Sequence, residues 1–243
     1  LDENTGEGTL VHSYAVAGGD LKDHINYLFY LYTNFNIELI VIDNAGYQFL
    51  DSCNESESFI NAGINLKFLD FDASKEGQDY QKEIRRLKRD LNKTDHRICF
   101  KQNFTSDFLR KANEHLQAAI DHKKIWFASR TTANGSMFDK QSNYNINLKL
   151  TGEDNIGEFI ENQDTLIYST KKQCALVEVK STAKGTQTFD LPQHLKRSTS
   201  PHRARKDNYT TLMLANWGLR CYNDTRNINE DEINSTFLPQ MFR

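Results

Sequence analysis

The stretch Ile37-Glu38-Leu39-Ile40-Val41-Ile42-Asp43 decides the fold that this sequence predicts. Apart from Glu38 and the final aspartate it is apolar and rich in β-branched residues, and Asn44-Ala45-Gly46 follows it as a turn signal. A continuous apolar run of this length is typical of a strand that is buried on both faces of a sheet. We therefore predict an interior parallel strand over residues 37–43, in a mixed central sheet with helices on both faces.

Asp43 is the first candidate functional residue. It lies at the carboxyl end of the predicted strand, which is where open α/β sheets bind their ligands. An aspartate before a Gly-containing turn is also a common turn-forming residue. The sequence leaves both roles open for Asp43.

Asp207 is the second candidate. It stands in the basic segment Arg203-Ala204-Arg205-Lys206-Asp207, immediately before an apolar helix. An aspartate at a helix start often serves as a cap or as a partner of the helix dipole. Together with Asp43, however, it could supply the carboxylates of a divalent metal site. A strand end and a helix start are rigid positions, which hold metal ligands better than loops do.

Strand and helix patterns alternate along the chain, which indicates an α/β fold. Predicted strands cover residues 9–16, 37–43, 64–71, 97–101 and 124–128, and a hairpin pairs residues 174–181 with 186–189. Predicted helices cover residues 48–62, 75–92, 106–122, 154–171 and 207–222, and a further helix begins after an N-cap at Asp20. The polar residues 129–152 are predicted to form a mobile loop, and residues 223–243 a C-terminal tail.

Composition limits the class of protein. The net charge is −3 over 243 residues, so any nucleic-acid surface must be a local patch. The four cysteines form no C-x-x-C pair and no histidine lies at zinc-finger spacing, which argues against a zinc site. No run is apolar and long enough to cross a membrane, and we expect an intracellular protein with no membrane partner.

Several short segments carry a resemblance to a known family. They are Ile40-Val41-Ile42-Asp43-Asn44-Ala45-Gly46, residues 97–102 with 112–117 and 123–127, residues 175–180 with 185–192, and residues 203–212. In this order they resemble the nuclease domain of the large terminase subunit of tailed bacteriophages. The likeness extends from about residue 9 to residue 222, and a single nuclease domain is expected over residues 1–222.

The resemblance implies an RNase H-like fold and an endonuclease that cuts concatemeric double-stranded viral DNA. In this family three acidic residues hold two Mg²⁺ or Mn²⁺ ions. Asp43 matches the second of them and Asp207 the third. The first is expected on a strand before the initial hairpin, ahead of Leu1, so the chain is interpreted as a piece of a longer protein with feeble activity by itself.

The resemblance also implies partners and a location. The expected partners are double-stranded DNA, an ATPase domain in the parent chain, the portal and a small terminase subunit, all in the cytoplasm of the infected host cell. DNA phosphates are expected to contact the basic loop before the last helix, through Lys196, Arg197, Arg203, Arg205 and Lys206.

Two alternatives remain open. Glu178-Val179-Lys180 is an E-x-K pattern with Asp164 upstream, which is similar to the metal-binding pattern of restriction-endonuclease-like nucleases. Glu178 and Lys180 also fit an exposed polar face that alternates with Ala175, Val177 and Val179, and Asp164 falls in a helical pattern. The other alternative is a non-catalytic DNA-binding or assembly module.

Overall fold

The computed structural model describes residues 6–14, 20–43, 46–69, 75–92, 97–128, 156–181, 187–196 and 206–228. In this part the chain is a mixed α/β protein with parallel strands. Its elements are β1 (Gly8–Leu10), α1 (Leu21–Asn34), β2 (Leu39–Asp43), α2 (Tyr47–Glu55), α3 (Glu57–Asn61), β3 (Leu66–Leu69), α4 (Gly77–Leu91), β4 (Arg97–Gln102), α5 (Ser106–Asp121), β5 (Ile125–Phe127), α6 (Ile156–Leu176), β6 (Glu178–Ser181), β7 (Gln187–Asp190), α7 (Gln193–Lys196) and α8 (Asp207–Arg226).

The chain divides into two units. One comprises Leu1–Asn36 and Leu109–Asn216, and the other comprises Ile37–Phe108 and Trp217–Arg243. We call them the terminal unit and the sheet unit respectively. The single domain expected over residues 1–222 stays a prediction.

The sheet unit contains a three-stranded parallel sheet in the order β2-β4-β3. The prediction that residues 39–43 form a parallel strand is confirmed. The predicted interior position is wrong for the described residues, because β2 pairs there with β4 alone and lies at the edge of this sheet. The interior strand is β4.

Burial explains why β4 takes the centre. Its residues Ile98, Cys99 and Phe100 are at most 1% exposed, whereas the apolar side chains of β2 are half-buried and Asp43 is exposed. An apolar run predicts that a strand buries side chains, but it does not say how many strands will bond to its backbone.

The helices between β2 and β4 follow the sequence pattern with one exception. The apolar stripe of α4 is confirmed, since Tyr80, Ile84 and Leu87 are buried. The single helix predicted over residues 48–62 is instead two helices, α2 and α3, because Ser56 adopts an extended backbone with φ −76° and ψ 143°. Its hydroxyl donates to the Cys53 carbonyl at 2.7 Å, so this serine ends one helix and begins the next.

The second half of α8 covers one face of β2. Trp217 is 1% exposed and meets Phe108, which is fully buried, edge to face with ring centroids 5.5 Å apart. The next residue, Gly218, approaches the strand so closely that an added Cβ would lie 2.5 Å from Cγ2 of Val41. A glycine is therefore required where this helix crosses β2.

Replacing Gly218 with alanine is expected to destabilise the protein. Alanine gains about 1 kcal/mol of helix propensity, but overpacking a filled core costs about 1–3 kcal/mol, so the free energy of unfolding should fall by up to about 2 kcal/mol. Chemical denaturation followed by circular dichroism measures this change. The control is Ala215→Gly, at an exposed position of the same helix, where the parent chain with alanine should be the more stable protein. A Gly218→Ala or Ala215→Gly variant that is more stable than the parent chain would contradict the packing argument.

The terminal unit contains the remaining described strands. β1 and β5 pair in parallel, with Gly8 opposite Ile125. β1 is shorter than the predicted strand 9–16, because residues 11–14 leave the sheet. The N-cap at Asp20 is confirmed, since its side chain accepts a hydrogen bond from the backbone N–H of Lys22 at 3.1 Å.

The end of α6 also departs from the prediction. The helix continues to Leu176 rather than ending at residue 171, so Cys174 and Ala175 are helical rather than part of a strand. A short apolar run such as this one does not by itself distinguish helix from strand. The antiparallel hairpin itself is confirmed by the pairing of β6 with β7.

The last helix begins where it is predicted to begin but extends into the predicted tail. α8 begins at Asp207 as predicted but continues to Arg226, four residues beyond the predicted end. The predicted mobile loop 129–152 and residues 229–243 of the tail lie outside the described residues. Among the residues that are described, no helix is both long and apolar enough to cross a membrane.

Candidate functional site

Asp43 ends β2 at the carboxyl edge of the parallel sheet and is exposed. Its Oδ1 accepts a hydrogen bond from the backbone N–H of Gly46 at 3.0 Å, so the turn-forming role is confirmed. A carboxylate has two oxygens and about four acceptor positions. The hydrogen bond from Gly46 is therefore compatible with a second role of Asp43 as a metal ligand.

Gln102 is the neighbour of Asp43 across the sheet. It ends β4, and its Cα is the register partner of the Asp43 Cα. The side chain is 2% exposed, and its Oε1 is buried without a hydrogen-bond partner among the described residues. The predicted strand ends at residue 101 and so omits Gln102, and no pattern in the sequence marks this glutamine as a site residue.

Asp207 is the first residue of α8 and is exposed. The carbonyl of Lys206 before it accepts the N–H of Thr210 at 2.9 Å, which places Asp207 in the first helical turn. A carboxylate there interacts favourably with the positive end of the helix dipole. This arrangement supports the structural role that the sequence left open for Asp207.

The convergence of the two acids stays a prediction. Asp43 belongs to the sheet unit and Asp207 to the terminal unit. Each is exposed in its own unit. In the described part of the chain, no group of three or more histidine, cysteine or acidic side chains is arranged to hold a metal ion.

The basic loop is described only at its ends. Arg197, Arg203 and Arg205 lie outside the described residues, and Lys196 is described by its backbone alone, at the end of α7. The ammonium of Lys206 donates to the carbonyl of Phe189 at 2.8 Å and lies 3.8 Å from Oδ1 of Asp190. Lys206 therefore links the end of the hairpin to the start of α8.

The residues of the E-x-K pattern form an ion pair. Nζ of Lys180 lies 2.9 Å from Oε2 of Glu178, and both side chains are about half exposed on β6. The exposed polar face is confirmed, but Val179 between them is also 49% exposed, so β6 has no buried apolar face in the described structure. Asp164 lies within α6, as its helical pattern predicts.

A cavity of about 250 Å³, which no sequence pattern predicts, lies in the terminal unit. Residues from α5, α6, the hairpin and α8 line it, among them Asn113, Leu116, Cys174, Val177, Phe189 and Tyr209. The Tyr209 hydroxyl donates to the Asn113 side-chain oxygen. Burial raises the pKa of the Cys174 thiol to about 11 and also raises the pKa of Tyr209, so neither group is an activated nucleophile at neutral pH.

Comparison of the chain with models of known families, with curated proteins and with solved structures gave no match. The likeness to the terminase nuclease domain therefore rests on the sequence segments that carry it. Family, RNase H-like fold and activity are proposals for this chain.

Proposed function

We propose that the chain is the metal-dependent endonuclease domain of a phage DNA-packaging terminase, with an RNase H-like fold. Its substrate would be concatemeric double-stranded DNA in the cytoplasm of the infected host cell. Its partners would be an ATPase domain in the parent chain, the portal and a small terminase subunit. The observation that carries the proposal is the exposed carboxylate of Asp43 at the carboxyl edge of a parallel sheet, the edge where such sheets bind ligands.

The donor chemistry fits a hard divalent cation. Mg²⁺ and Mn²⁺ prefer carboxylate, carboxamide and water oxygens. Asp43 supplies carboxylate oxygens at this edge, and the buried carboxamide oxygen of Gln102 stands on the neighbouring strand end. Two ions bound at such a site would lower the pKa of an attacking water and stabilise the charge on the leaving oxygen.

The side chains of the protein would divide the remaining work. Asp43 and Asp207 would hold the ions, and the strand end and helix start that carry them would fix their positions. The basic residues before α8 would hold the phosphates of the DNA: Lys196, Arg197, Arg203, Arg205 and Lys206. Lys206 would combine this task with its bond to the hairpin.

The restriction-endonuclease-like alternative is less well supported. That mechanism needs a lysine that polarises the water or phosphate beside the metal-binding acids. Here Lys180 is paired with Glu178 at 2.9 Å, and Asp164 lies on a helix. We therefore assign the E-x-K residues to an exposed surface ion pair, which contributes about 0–1 kcal/mol to stability.

Nicking of supercoiled plasmid by the purified chain tests the proposal. We expect slow nicking that requires Mn²⁺ or Mg²⁺ and stops on addition of EDTA, because the metal supplies the charge stabilisation. The Lys180→Ala variant should nick at the same rate, which separates the two nuclease mechanisms. Nicking that resists EDTA would contradict the metal mechanism. DNA binding without any nicking would favour the non-catalytic DNA-binding module.

A further inference from the structure

We propose that the side-chain oxygen of Gln102 is a further ligand of the divalent cation at Asp43. The inference rests on the proposed metal site and adds a neutral ligand to its acidic residues. It also accounts for a buried carboxamide oxygen that has no hydrogen-bond partner among the described residues. Leaving such an oxygen without a partner is unfavourable, and a bound cation would remove that penalty.

The orientation of the Gln102 amide is fixed by its other end. Its Nε2 donates to the backbone carbonyl of Asn103 at 3.2 Å. Exchanging the amide nitrogen and oxygen would bring two acceptor oxygens together, so hydrogen bonding selects the orientation in which Nε2 faces that carbonyl. The oxygen is consequently the atom of Gln102 that is left without a partner in the described structure.

The position of Gln102 relates this oxygen to Asp43. The two residues are register partners in parallel strands, and register partners project from the same face of a pleated sheet on strands about 4.8 Å apart. Mg²⁺ binds oxygen ligands at about 2.1 Å, so a single cation can be shared by side chains on adjacent strands. Gln102 is buried and Asp43 is exposed, which would place the ion at the boundary between the sheet interior and the solvent.

The chemistry favours a cation over another occupant. A carboxamide oxygen and a carboxylate are both acceptors, so a group that binds to both must bring positive charge or hydrogen-bond donors. Mg²⁺ and Mn²⁺ do this and keep several of their waters, which can themselves donate to surrounding oxygens. A neutral ligand also adds an oxygen without the repulsion of another carboxylate.

Mn²⁺ binding measured by calorimetry or electron paramagnetic resonance tests the role of Gln102 directly. Gln102→Leu removes the oxygen and keeps the size of the side chain, and it should raise the Mn²⁺ dissociation constant by about tenfold to a hundredfold. Gln102→Glu restores an oxygen and should bind Mn²⁺ at least as tightly as the parent chain. Gln48→Leu, which replaces an exposed glutamine, is the matched control and should leave Mn²⁺ binding unchanged.

The outcomes separate this inference from the proposed function. If Asp43→Asn loses Mn²⁺ binding while Gln102→Leu binds normally, Gln102 is not a ligand and the nuclease proposal stands. If the parent chain shows no saturable Mn²⁺ binding, the inference is wrong. If binding depends on both residues but no DNA is cut, the cation site is supported and the nuclease proposal fails. If Gln102→Leu does not fold, Gln102→Asn replaces it, because its shorter side chain withdraws the oxygen from the cation. Unchanged Mn²⁺ binding in Gln102→Asn would then overturn the inference.

Discussion

Asp43→Asn and Asp207→Asn are each expected to reduce metal-dependent DNA cleavage by at least about a hundredfold, which corresponds to about 2.7 kcal/mol of transition-state stabilisation. An amide keeps the shape of the carboxylate but loses the charge that holds the cation, and metal ions supply several kcal/mol in such reactions. Rates of plasmid nicking at saturating Mn²⁺ measure the effect. Thermal unfolding of both variants should resemble that of the parent chain, because both carboxylates are exposed.

The matched control is Asp121→Asn. Asp121 is an exposed aspartate at the end of α5, and the substitution makes the same chemical change outside the proposed site. It should leave the cleavage rate unchanged. Full activity in Asp207→Asn would contradict the two-metal proposal. Asp43→Asn keeps an oxygen that can accept the hydrogen bond from Gly46, so full activity in this variant would contradict the proposal as well.

Local chemistry made much of the secondary structure predictable. The N-cap at Asp20 and the start of α8 follow from contacts between residues close in sequence. The stripe of α4 follows from apolar residues spaced at the helical period. The errors arose where long-range packing decides. The sequence of residues 37–43 predicts a buried strand, but only the neighbouring strands determine that β4 occupies the centre of the sheet and β2 its edge.

In the candidate site, too, the sequence predicts what local residues determine and misses what long-range packing determines. Asp43 was predictable because a polar residue interrupts an apolar run and precedes a turn. The partner of Asp43 was not, because the pairing of β2 with β4 brings together residues 43 and 102, which are far apart in sequence. The buried state of the Gln102 oxygen depends on the packing around β4, and no sequence pattern encodes it.

The largest stability effect is expected at Trp217. Trp217→Ala should lower the free energy of unfolding of the sheet unit by about 3–5 kcal/mol, as truncation of a buried aromatic residue leaves a cavity. The indole is 1% exposed and packs edge to face on Phe108. The guanidinium of Arg220 also lies 4.7 Å from the centre of its ring, so the substitution removes a cation–π contact as well. Urea denaturation followed by far-ultraviolet circular dichroism measures the change.

The second tryptophan provides the matched control for this prediction. Trp126 is 52% exposed on β5, where its indole N–H donates to Glu7 at 2.9 Å. Trp126→Ala removes the same number of atoms but opens no buried cavity, and its effect should stay within about 1 kcal/mol, the size of a single net hydrogen bond. Trp217→Phe keeps an aromatic ring beside Phe108 and should fall between the two. Equal losses for Trp217→Ala and Trp126→Ala would contradict the expectation that burial of Trp217 against Phe108 stabilises the sheet unit.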